Sequence, residues 1–155
     1  MNYAQNVRHA TALGNHRRIY GAGCDNTTAH GLTALVVDDD PITLKLAGAM
    51  LADMGYMVRT ADEGTQGMID FSRTPCDFVL TDYVMPAING YQLGRRIKSR
   101  HPETRVVIMT GLSRIEVAGM MSDGSIDGWL FKPFDPADLK SLLEQLGLPV
   151  KGSAE

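Results

Sequence analysis

The chain has 155 residues, 15 basic against 18 acidic, and a net charge of −3. That is room for one domain with a proper core and little more, and it gives no general affinity for nucleic acid. Cys24 and Cys76 form neither a disulfide framework nor a metal spacing, no apolar stretch approaches membrane-spanning length, and the N-terminus lacks the apolar core of a secretory signal, so the expectation is a cytoplasmic protein with reduced thiols.

Residues 1–31 stand apart. Arg8, Arg17 and Arg18 meet a single acid, Asp25, and His9, His16 and His30 lie at spacings without ligand logic. Turn formers crowd residues 21–28. The segment reads as a basic flexible extension with room for a short helix over residues 3–19.

From Leu32 the pattern becomes regular. Thr33–Val37 is an apolar run of strand length. Residues 41–54 carry apolar side chains at helical spacing in two sets (Ile42, Leu46, Met50 and Leu44, Leu51, Met54), and Gly55 stops the helix. Tyr56–Thr60 predicts a short strand, and Asp62–Ser72 a helix ended by Pro75. Phe78–Thr81 predicts a strand. Tyr91–Arg100 predicts a helix that stops before Pro102. Arg105–Thr110 is a buried strand, Ser113–Met121 a helix with Gly124 near its end, and Gly128–Phe131 a strand. Asp135 and Pro136 open a last helix with Leu139, Leu142, Leu143 and Leu146 on one stripe.

Five apolar strands alternating with five helices predict an α/β fold, a doubly wound parallel sheet covered on both faces. Right-handed crossovers bring every strand's C-terminal end to one edge, where such folds hold ligands. That edge collects Asp38 and Asp39 after the first strand, Asp82 after the third, Thr110 after the fourth and Lys132 after the fifth. Asp40, followed by Pro41, reads as a helix cap. Three convergent carboxylates raise one another's pKa, and a hard divalent cation such as Mg²⁺ relieves their repulsion. A hydroxyl and an ammonium opposite them suit phosphoryl oxygens. The pattern points to metal-assisted phosphoryl transfer.

The motifs VVDDDP, DYVMPAINGYQL, VVIMTG and WLFKPF, in this order, make residues 32–147 resemble the receiver domain of bacterial response regulators. The resemblance implies a flavodoxin-like sheet of strand order 2-1-3-4-5 and a phosphorelay switch that is not otherwise an enzyme. It implies Asp82 as phosphoacceptor, Asp39 as direct Mg²⁺ ligand, Asp38 as its partner acting largely through water, and a metal contact from the Val84 carbonyl. Thr110 matches the switch hydroxyl and Lys132 the ammonium at the acceptor, with a cis bond to Pro133. Trp129 stands at the switch aromatic, Gly111 keeps a small residue beside Thr110, and Val84 and Leu112 flank the approach of hydrolytic water. The implied partners are a sensor histidine kinase or phosphotransfer protein, and a downstream protein on the face of the fourth helix, fifth strand and fifth helix. Neither nucleic acid nor membrane insertion is implied.

Two other readings compete. Asp38-Asp39-Asp40-Pro41-Ile42 approaches the nucleophile motif of haloacid-dehalogenase-like phosphatases, with Asp38 attacking. That family needs a later acidic pair at a strand end, whereas Asp135 and Asp138 open a helix. A receiver-like binding module that takes no phosphate is the other; such modules usually lose a key residue, and all five are here. After Leu146 nine residues remain. With residues 148–155 read as a short tail, a stand-alone receiver or one excised from a hybrid kinase is expected.

Overall fold

The computed structural model describes residues 31–120 and 123–152. The expected N-terminal extension, its short helix and its histidines lie outside these residues, apart from Gly31. The strands are β1 (Thr33–Val37), β2 (Met57–Ala61), β3 (Phe78–Asp82), β4 (Arg105–Thr110) and β5 (Gly128–Phe131). All pair in parallel, in the order β2-β1-β3-β4-β5. The helices are α1 (Pro41–Asp53), α2 (Gly64–Arg73), α3 (Gly90–Arg100), α4 (Arg114–Ala118) and α5 (Pro136–Gln145). This is the expected doubly wound sheet.

The apolar strands are buried on both sides. Val36, Leu80, Met109 and Leu130 pack with Leu51 of α1 and Leu139 and Leu143 of α5. Leu35, Val37, Val79 and Val106 face the other way, onto Phe71 of α2 and Leu93 and Ile97 of α3. Each such side chain contributes about 1.5–3 kcal/mol on burial. A one-residue slip would exchange the two layers, so packing fixes the register that holds the strand ends level.

Helix starts follow local chemistry. Asp40 accepts from the N–H groups of Ile42 and Thr43, with Pro41 in the first turn. Asn89 with Gln92, Ser113 with Glu116, and Asp135 with Asp138 form reciprocal capping boxes.

Four expectations need correction. α2 begins at Gly64 rather than Asp62, because Glu63 is extended and makes no side-chain cap. α4 ends at Ala118 rather than Met121. Gly119 follows it, and the Met120 N–H turns back to the Val117 carbonyl in a tightened turn (2.9 Å). On α1 only one of the two apolar sets is taken up whole: Leu51 and Met54 are buried and Leu44 packs against that core, whereas Ile42 is 68% and Leu46 55% exposed. A helix on a sheet buries one stripe, and its rotation decides which.

The packed unit also runs past residue 147. Gly147 turns the chain (φ 71°), and the Leu148 N–H bonds to the Leu143 carbonyl at 2.9 Å. Leu148 and Val150 enter the α1–α5 core. The Tyr56 hydroxyl donates to the Pro149 carbonyl (3.1 Å), and the Lys151 N–H to the Met54 carbonyl (2.9 Å). Among the described residues no helix is long and apolar enough to cross a membrane.

Candidate functional site

The three acids of the first loop have three different surroundings. Asp38 continues the ladder beyond β1, its N–H bonding to the Ala61 carbonyl (3.2 Å), and it is 1% exposed. Its Oδ1 accepts from the Asp40 N–H and its Oδ2 from Lys132 Nζ, at 2.8 and 2.9 Å. Asp39 points outward and is exposed. Asp40 caps α1, and the Thr43 hydroxyl and the Ile42 N–H hold its carboxyl below the usual range.

Asp82 ends β3 and is 9% exposed. Its Oδ1 accepts from Lys132 Nζ at 2.9 Å, so one ammonium bridges two buried carboxylates. Burial pushes the Asp82 carboxyl up, as does the Asp38 charge, while the Lys132 hydrogen bond acts the other way. Burial works against the Lys132 charge too, but hydrogen bonds to Asp38 and Asp82 prevail and raise it. Among the described residues, Asp38, Asp39 and Asp82 bring one carboxylate oxygen each within 4.8 Å of one another. Three carboxylates against one ammonium leave the cluster with excess negative charge. An all-oxygen donor set of this kind fits a hard divalent cation.

The other side chains arrive on neighbouring strand ends. Thr110 closes β4, is 2% exposed, and its Oγ1 accepts from the Leu112 N–H at 3.0 Å. The Lys132 N–H donates to the Thr110 carbonyl (2.7 Å), and the Lys132–Pro133 bond is cis, as expected. Val84, 70% exposed, lies in the loop after Asp82, and Leu112 is half-buried. Ala87 in that loop adopts φ 65°, the only non-glycine residue described with a left-handed backbone. Gly90 starts α3 where a Cβ would collide with the Asp82 carbonyl oxygen, so glycine lets the helix abut the site.

Trp129 is half-buried on β5 and does not join the acidic cluster. Its ring lies against Tyr83, centroids 6.2 Å apart at 56°. The sequence reading missed Tyr83. The available signal was an aromatic directly after Asp82, matched by another three residues before Lys132. It also missed that Lys132 holds Asp38 as well as Asp82, since strand-end positions give no side-chain direction.

Comparison with known proteins bears on this arrangement. Residues 34–144 match the model of the response regulator receiver domain. The chain belongs to this family. The receiver is 37% identical over 101 residues to the transcriptional regulatory protein GlrR of Escherichia coli, covering 65% of this chain and 23% of that protein. It is 34% identical over 109 residues to the sensor histidine kinase RcsC of Salmonella typhi, covering 70% of this chain and 12% of the kinase. The chain thus spans less than a quarter of the length of these relatives. Among solved structures, chemotaxis protein CheY4 of Vibrio cholerae superposes with a TM-score of 0.68 at 26% identity, over 74% of this chain and 98% of that one. The receiver domain is the signalling switch of two-component systems, which the sheet-edge cluster of acids, hydroxyl and ammonium fits.

Proposed function

We propose that this receiver takes a phosphoryl group on Asp82 from a phosphohistidine of a sensor histidine kinase or phosphotransfer protein. The observation that carries the reading is the Lys132 ammonium on Asp82 beside two further acids. An Asp82 carboxylate oxygen forms the new P–O bond. The donor's P–N bond breaks, and its imidazole leaves as a neutral ring after gaining a proton. Mg²⁺, held by Asp39, Asp82 and the Val84 carbonyl with Asp38 reached through water, would neutralise charge on the transferring group. Lys132 supplies positive charge from the opposite side, and Thr110 a hydroxyl to the phosphoryl oxygens. Asp38 is a poor rival nucleophile, being 1% exposed with both oxygens already bonded, which disfavours the phosphatase reading.

The chain's chemistry is confined to accepting and losing this group in the cytoplasm. Its output is protein contact through the face of α4, β5 and α5, where Ile115 is 87% exposed. Ile42 and Leu46, exposed on α1 just after the acidic loop, offer an apolar seat for the donor. Acetyl phosphate with Mg²⁺ should add one phosphoryl group, and Asp82→Asn should abolish it; undiminished labelling of that variant would overturn the assignment.

The phosphorylated form should be long-lived. Hydrolysis needs a water held in line with the bond at Asp82. Val84 and Leu112, at the approach, cannot hydrogen-bond one. Phosphate loss should therefore be faster in the double variant Val84→Asn, Leu112→Glu; equal or slower loss would refute this account.

A further inference from the structure

We propose that Tyr83 is the positioning residue for Trp129: a fixed aromatic bracket that holds the indole in place until the phosphoryl group draws Thr110 away. The inference rests on the phosphoacceptor reading of Asp82. Tyr83 follows Asp82 directly, and its backbone is pinned on both sides. Its N–H donates to the Met109 carbonyl and its carbonyl accepts from the Gly90 N–H, each at 3.0 Å. One bond ties it to β4, the other to the first residue of α3. The point from which its ring projects is therefore fixed relative to β4 and α3.

Trp129 has a different footing. β5 is an edge strand of the sheet and, among the described residues, pairs only with β4. Its apolar neighbour Leu130 is buried on the α1–α5 side, so strand alternation puts Trp129 on the opposite face. Val106 packs on that opposite face, and alternation along β4 puts Ile108 and Thr110 there too. Ile108 pairs in register with Trp129. Tyr83 lies beyond β3 and Trp129 on β5, so the ring contact crosses above β4 on the face of Thr110. Strands two places apart are separated by about 9.5 Å, beyond contact for short side chains. Two large aromatics close that span.

The Thr110 oxygen accepts from the Leu112 N–H in this arrangement. If that hydroxyl turns towards a phosphoryl group on Asp82, an inward turn of the indole in response would break its contact with the Tyr83 ring. The ring pair thus sets part of the threshold for the change, a differential contact between two states of the switch.

Trp129 is the sole tryptophan, so its emission reads the pair directly. Acrylamide quenching of the full chain is measured for wild type, Tyr83→Phe, Tyr83→Leu and Tyr83→Ala, followed by titration with beryllofluoride and Mg²⁺. Tyr83→Phe keeps the ring and should match wild type in both. Tyr83→Leu keeps bulk without the ring and guards against a packing defect. Both it and Tyr83→Ala should expose Trp129 to quencher and lower the half-maximal beryllofluoride concentration by about twofold to tenfold, the range expected for one aromatic pair. Unchanged quenching in both ringless variants overturns the bracket. So does increased quenching with an unchanged or raised half-maximal concentration. A wild type that labels with acetyl phosphate but gives no Trp129 response also overturns it, and leaves the phosphoacceptor reading standing. Failure to label overturns that reading, and the bracket falls with it.

Discussion

Both edges of the sheet hold hydrogen-bonded acids, and they do so in opposite ways. At the edge away from the site, Asp127 receives Lys98 Nζ (2.6 Å), Arg105 Nη1 (3.1 Å) and the Val106 N–H (2.8 Å). Asp77 there takes both the N–H and the hydroxyl of Thr33 at 2.8 Å. These two carboxylates are well supplied with donors from the chain itself. At the site edge, Asp38 and Asp82 share one ammonium while Asp39 stands exposed beside them. Hydrogen-bonded acids are common to both; a cluster of acids around one ammonium belongs to the site edge. An acid with matched donors locks structure, whereas an acidic cluster short of positive charge is compatible with a divalent cation.

The sharpest way to break the comparison is to empty the matched edge. Asp127→Ala leaves Lys98 and Arg105 without their carboxylate and frees the Val106 N–H, and should cost roughly 1–3 kcal/mol in urea unfolding. Labelling of the folded fraction by acetyl phosphate should stay at the wild-type level. Loss of labelling at full stability would show that the two edges are not separate in function.

Within the unmatched edge, the acids should differ in metal affinity. Asp38 already has a protein partner on each oxygen, so Asp38→Ala should weaken Mg²⁺ binding by about tenfold, in the manner of an outer-sphere change. Asp39→Ala should weaken it further while leaving thermal stability without metal unchanged or raised, because a repulsive charge has gone. Calorimetric titration with Mg²⁺ tests the order; a stronger loss from Asp38→Ala would reverse the assignment.

The smallest effect sharpens the contrast in backbone. Ala87, in the loop after Asp82, holds φ 65°, where a Cβ is strained. Ala87→Gly should stabilise the fold by about 1 kcal/mol, offset in part by the greater entropy of glycine in the unfolded chain. An unfolding midpoint lower than wild type would mean that the loop carries no strain to relieve.

Much of this was legible from residues alone. The alternation of apolar runs with helical spacing fixed the five strands and five helices, because burial on both faces demands continuous apolar strands. Asp40 with Pro41 announced a helix start, and Asp38, Asp39, Asp82, Thr110 and Lys132 could be placed on one edge from topology, since parallel strands must end together. Element ends were less legible. The early end of α4 depends on the turn at Gly119, and the inclusion of Leu148 and Val150 on contacts with residues some ninety positions away.

Side-chain direction and partner choice were decided only by the folded chain. The spacing of α1 allowed two apolar sets, and the helix's rotation on the sheet buried Leu51 and Met54 while leaving Ile42 and Leu46 in the open. Lys132 could have met any of three acids; it meets Asp38 and Asp82 because its long side chain reaches from the end of β5 past β4 to the ends of β1 and β3. Tyr83 and Trp129, 46 positions apart, meet across β4. Composition and periodicity report what each segment buries. Which residues touch across strands is set by register and twist, and these exist only once the whole sheet has formed.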